Sequence, residues 1–135
     1  MNDTILNKVA SIQRCVFRAR DIYSRNRQIF LSDHDSQDAA VLNIMRACEL
    51  AIDIANHLIK EKRLGLPKSS ADSFQLLAAA RIISSELAHR LEKMVGFRNI
   101  TVHEYQQINY EIVVHVLEHE LDDLVVLTEK VLELP

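Results

Sequence analysis

Apolar positions recur along this chain at three- and four-residue steps, the spacing that gathers side chains on one face of an α-helix. Ile5, Val9, Ile12, Val16 and Ala19 predict an amphipathic helix over roughly residues 4–27, capped by Asn2 or Asp3. The polar run Ser32, Asp33, His34, Asp35 and Ser36 reads as a turn that supplies the N-cap of the next segment. In that segment Val41, Ile44, Met45, Cys48, Ile52, Ala55 and Ile59 make one long stripe. It ends near Arg63, with Gly65 as the C-terminal stop and Pro67 beyond it.

The Ala- and Leu-rich stretch from Asp72 to Ile83 begins a third, shorter helix. Ser84 or Ser85 restarts the chain as a helix carrying Leu87, Leu91, Met94 and Val95, which Gly96 is expected to interrupt. Asn109 can cap a last helix of about 24 residues. There Val114, Leu117, Leu121, Leu124 and Val131 face the core, while Glu111, His115, Glu118 and Asp122 face water. The fold class expected is all-α: an antiparallel bundle of four to five helices forming a single domain over residues 1–135. Val113, Val125 and Val126 widen the apolar face of the last helix, as at a homodimer interface or a deep core position.

Composition narrows the function. Two Gly and two Pro are too few for a β-rich fold, and neither Gly has the neighbours that a phosphate-cradling loop or dinucleotide fingerprint requires. Cys15 and Cys48 fall at apolar helical positions, as buried free thiols do, which suggests a reducing, cytoplasmic setting. The first 30 residues lack a signal-peptide core, and no apolar run is long enough for a membrane span. A soluble protein without a membrane partner is expected.

The net charge of −3 is unevenly spread. Residues 1–27 hold six basic side chains against two acidic ones, whereas residues 104–135 hold eight acids against Lys130 alone. The basic first helix, with Arg14, Arg18 and Arg25, is either an RNA- or partner-facing surface or an ordinary solvated face.

The densest chemistry lies in Arg98, Asn99, Ile100, Thr101, Val102, His103, Glu104 and Tyr105. Arginine is a permanent cation whose fork fits phosphate oxygens, and histidine exchanges protons near neutrality. Together they make a phosphate-handling site, which needs proton transfer and stabilisation of the charge that builds on phosphorus. His103 can move the protons and Arg98 can meet the charge. On an ideal helix the two stand about 140° and roughly 7.5 Å apart, so an irregular helix, a long arginine reach or a composite site is required. One His cannot serve as base and acid in the same step, and a two-fold dimer with two motifs across one cleft would supply both.

A second pattern, His115-Val116-Leu117-Glu118-His119, matches a zinc-peptidase signature. Without a third-ligand region after it, we read both His as solvated and expect no metal or cofactor.

The run Arg-Asn-x3-His-x-Tyr resembles the signature of HepT-type toxins in the HEPN superfamily. Chain length, Gly65, Leu66 and Pro67, then Phe74 and Leu77, and the pair Gly96 and Phe97 extend the resemblance over nearly the whole chain. It implies a toxin of the HepT/MntA type, a metal-independent endoribonuclease cutting transfer or messenger RNA rather than DNA. Arg98 and His103 would be catalytic, with Asn99 in support. Tyr105 would be adenylylated by a minimal nucleotidyltransferase antitoxin, filling the cleft and repelling the RNA backbone. The alternatives are a non-catalytic HEPN module that binds a nucleotidyltransferase or a nucleotide, and a plain helical adaptor. Aromatic residues make up only 5% of the chain, so RNA would be held mainly by shape and phosphate contacts.

Overall fold

Asn2 does what an N-cap must: its side-chain oxygen accepts from the backbone N–H groups of Thr4 and Ile5, two donors that the first helical turn leaves without partners. From there the computed structural model, which describes residues 2–135 except for the side chain of Tyr105, runs through α1 (Asp3–Arg25), α2 (His34–Lys62), α3 (Ser70–Ala79) and α4 (Ser85–His103). A 3-10 turn (Tyr105–Gln107) leads to α5 (Tyr110–His115), a π-helical turn (Val116–Glu120) and α6 (Leu121–Leu132). The helices form an antiparallel bundle in which α1 packs along α2, α3 along α4, and α6 against α1, α2 and α4.

The predicted first stripe is the buried one: Ile5, Val9, Ile12, Val16 and Ala19 are all in the core, joined by Cys15 and Tyr23. In α2 the buried face is wider than the predicted stripe. Ala40, Ala47, Ala51, Ile54 and Leu58 are buried as well, while Val41 and Met45 sit half-buried at its edge. A helix so enclosed is gripped from both sides, by α1 on one and by α3 and α4 on the other. Phe30, in the connection between α1 and α2, is fully buried and meets the Tyr23 ring edge-on at 5.3 Å. Gln37 donates to the Phe30 carbonyl at 2.8 Å and fixes this plug.

Three boundaries differ from the sequence expectation. The left-handed residue that closes α2 is Arg63 (φ 55°, ψ 52°), not Gly65. The Leu64 N–H donates back to the Ile59 carbonyl at 3.0 Å, so the terminal carbonyl is satisfied before Gly65 is reached. Gly65 (φ 126°) instead turns the chain toward α3. The third helix starts at Ser70, capped by Ser69, and stops at Ala79, where Arg81 (φ 62°) repeats the same closure. Ser84 then caps α4 through the Leu87 N–H.

Gly96 does not interrupt α4, which continues to His103. Glycine weakens a helix by only about 1 kcal/mol, and the packed residues on either side, Met94, Val95 and Phe97, hold the turn. In the last helix the π turn inserts one residue. Val116 and Leu121, five apart, therefore share the core face, and the Leu121 N–H donates to the Val116 carbonyl. Val113 is fully buried, while Val114, Val125 and Val126 are half-buried against the core. No described helix is long and apolar enough to cross a membrane.

Candidate active site

Arg98 stands on α4 where the helix crosses α2 and α3, and its side chain is only 15% exposed. Its Nε lies 3.0 Å from Oε1 of Glu49 on α2. That contact is an ion pair without hydrogen-bond alignment, because the buried Nε makes no directed bond. The Arg98 Nη2 donates to Oγ of Ser70, the first residue of α3, at 3.3 Å. The guanidinium is thus pinned by two helices other than its own. A turn later, Thr101 is buried and donates its hydroxyl to the Arg98 carbonyl at 2.8 Å, which stiffens the C-terminal turn of α4.

His103 closes that helix and is exposed, as are Asn99 and Glu104. The helix ends with the Glu104 N–H on the Ile100 carbonyl at 2.8 Å. Ile100 and Val102, beside His103, remain 42% and 43% exposed. Among the described residues no hydrogen bond or ion pair joins Arg98 to His103, and α4 is regular between them. Of the geometries the spacing allowed, an irregular helix after Gly96 is therefore not the one adopted. The side chain of Tyr105 lies outside the described residues.

The Glu49 side chain, half exposed, faces two ways. Besides pairing with Arg98 it lines a groove of about 420 Å³ between α1 and α2, with Arg14, Arg18 and Arg46 around it and Cys15 in its lining. The predicted pair Arg14 and Arg18 thus gains a third arginine from α2. Arg25 stands apart, bound to Asp21 at 3.0 Å within α1. Glu49, Ser70 and Arg46 were not singled out from the sequence, since pairs this remote along the chain leave no periodic signal.

Cys48, next to Glu49 and fully enclosed, has its thiol pushed up to about 12 by burial, against a smaller downward pull from the Arg98 charge. It is an inert core thiol, and Cys15 is likewise free and buried. On the last helix His115 and His119 are exposed, their rings 4.9 Å apart. The Glu118 that would activate water in a zinc peptidase accepts the Tyr23 hydroxyl at 2.6 Å instead. Burial, followed by this carboxylate, raises the Tyr23 phenol above its ordinary range. Among the described residues no group of three or more His, Cys, Asp and Glu side chains is placed to hold a metal ion.

Comparison with known proteins agrees with the fold and with the family resemblance. The family model for ribonuclease HepT-like proteins matches residues 12–131. The mRNA nuclease HepT of Shewanella oneidensis is 50% identical over 123 residues, 91% of this chain and 92% of that protein. The structure of a tri-AMPylated Shewanella oneidensis HEPN toxin in complex with MNT antitoxin superposes with a TM-score of 0.91 at 46% identity, covering 97% of this chain and 98% of that one. A toxin–antitoxin crystal structure with AMP-PNP gives a TM-score of 0.92 at 45% identity, with 96% and 98% covered. With the all-helical fold, the family match over residues 12–131 and the 50% identity in agreement, the chain belongs to the HepT-like ribonuclease family of HEPN proteins.

Proposed function

We propose that this protein is the toxin of a HepT/MntA-type pair, a metal-independent endoribonuclease that cuts messenger or transfer RNA in the cytoplasm. The observation that carries the reading is the placement of Arg98: a cation held by Glu49 and Ser70, five residues before an exposed His103 on the same helix. The 50% identity to an mRNA nuclease supports messenger RNA as the first substrate to try.

In this mechanism Arg98 meets the charge that builds on the phosphorane, and Asn99 orients the phosphate or the imidazole. His103 removes the 2′-hydroxyl proton as its oxygen bonds to phosphorus. The bond to the 5′-oxygen then breaks, and that oxygen takes a proton from the His103 of a second copy, leaving a 2′,3′-cyclic phosphate and a 5′-hydroxyl. Proton transfer of this kind contributes about two to four powers of ten. The exposed Ile100 and Val102 beside His103 give a homodimer an apolar surface to cover at this place. The AMPylated toxin of Shewanella oneidensis supports modification by a partner nucleotidyltransferase, and Tyr105 of the motif is the residue to which we assign it.

The test is cleavage of a defined RNA by purified protein, with and without a chelator, beside His103→Ala. Chelator-resistant cleavage lost in the variant is expected. Equal RNA integrity with both proteins would favour the non-catalytic module. Intact mass of wild type and Tyr105→Phe after incubation with the partner nucleotidyltransferase and ATP checks the modified residue.

A further inference from the structure

The four phenylalanines are treated very differently. Phe30, Phe74 and Phe97 are buried, while Phe17 is 68% exposed in the middle of α1. It sits between Arg14 and Arg18, with which it lines a shallow hollow beside the α1–α2 groove. Arg14 and Arg18 line both hollows, and Arg46 approaches the groove from α2. Among the described residues none of these three arginines has a carboxylate within ion-pairing distance; Arg14 donates only to the Ser11 hydroxyl, at 2.8 Å. Three clustered cations in a chain of net charge −3, with partners available elsewhere, form a surface poised for a polyanion. A second copy of the same face would bring three more cations against them, so this surface does not suit a symmetric dimer.

We propose that the α1–α2 groove is a subsite for single-stranded RNA. Arg14, Arg18 and Arg46 hold phosphates next to the scissile one, and Phe17 stacks on a base. The chemistry is that of sequence-tolerant single-strand binding, in which a cationic track follows the backbone and an aromatic face takes a base. A groove of about 420 Å³ has room for a nucleotide and not for a duplex. Its position leads the strand to the reaction: Glu49 borders the groove and touches Arg98, so a backbone lying along the arginines arrives beside the catalytic cation.

This inference rests on the ribonuclease reading, and the experiment separates the two. A fluorescein-labelled, unstructured RNA oligonucleotide is titrated with His103→Ala protein, which binds without cutting, over a range of salt. If that protein does not bind RNA, the ribonuclease reading and the subsite fail together. If it binds, Phe17→Ala is expected to weaken binding about five- to a hundred-fold. The combined change Arg14→Gln, Arg18→Gln and Arg46→Gln is expected to flatten the slope of log affinity against log salt by about 2, at about 0.7 per phosphate contact. The three arginines changed to lysine should keep the slope, and Lys60→Gln with Lys62→Gln, at the far end of α2, should leave affinity within about two-fold. Unchanged affinity and slope in the Phe17 and glutamine variants would overturn the subsite alone. So would variants that still bind RNA but lose the partner nucleotidyltransferase, which would make the face a protein-docking surface. All the substituted positions are exposed, and circular dichroism melts check that each variant remains folded.

Discussion

Arg98 and His103 lie within two turns of one helix and are built on opposite plans. The arginine is enclosed, pinned to α2 through Glu49 and to α3 through Ser70, so a single chain already fixes where the cation sits. The histidine is exposed at the last position of α4, with no described partner to orient its ring. On the proposed mechanism the fold preorganises the electrostatic half of the motif and leaves the proton-transfer half to be completed from outside. A group that must meet substrate on both its faces has to remain accessible, whereas a cation that only stabilises charge gains from a low-dielectric seat.

Substitutions can break that contrast or sharpen it. The largest effect is expected for His103→Ala: the single-turnover cleavage rate should fall by about two to four powers of ten with an unchanged melting temperature. A large drop in melting temperature would mean that His103 is structural after all. For Arg98→Lys the charge remains and the fork is lost, so cleavage should fall about ten- to a hundred-fold. This variant should also lose about 1 kcal/mol of stability, seen in denaturant unfolding, because the Glu49 and Ser70 contacts are no longer met together.

The core beside Arg98 has a pH signature of its own through the buried Cys48. In the unfolded chain a thiol ionises near 8.5, roughly, whereas in the fold burial holds Cys48 to about 12. The unfolded chain therefore sheds this proton first. The stabilisation is complete below the lower value and is lost as pH rises toward the upper one, on the order of 1 kcal/mol per pH unit. Cys48→Ala should remove that alkaline loss in urea unfolding curves taken at several pH values. The smallest effect is expected at Gly96, where an added Cβ would meet nothing within 4 Å. Gly96→Ala should stabilise the helix by about 0.5–1 kcal/mol, read as a rise in melting temperature.

How far the sequence was legible follows from the range of each interaction. The caps and the stripe from Ile5 to Ala19 are local signals: the structure uses Asn109 and the stripe as read, and chooses Asn2 over Asp3 and Ser84 over Ser85. Gly65 and Gly96 misled because glycine only permits a break. Whether one occurs depends on neighbours, here a left-handed Arg63 two residues earlier and the packing of Met94, Val95 and Phe97. The π turn left no mark because Val113 and Val114 are equally apolar, and periodicity alone cannot say which faces inward. In the candidate site, the spacing pointed to Arg98 and His103, which remain a proposal, while Glu49 and Ser70 are tertiary partners 49 and 28 residues away from Arg98 along the chain. Arg46 was hidden for a different reason: on α2 it looks like any solvated arginine until α1 brings Arg14 and Arg18 beside it.

On the proposed mechanism the exposed histidine works only with its counterpart from a second copy. Wild-type and His103→Ala chains carrying different tags, co-expressed and purified on both tags in turn, yield the mixed pair alone. Its RNA cleavage should lie near the level of the all-variant protein, since the shared cleft then lacks either its base or its acid. Cleavage at about half the wild-type rate, as expected of independent sites, would contradict it. So would failure to recover any mixed pair from cells that make both chains.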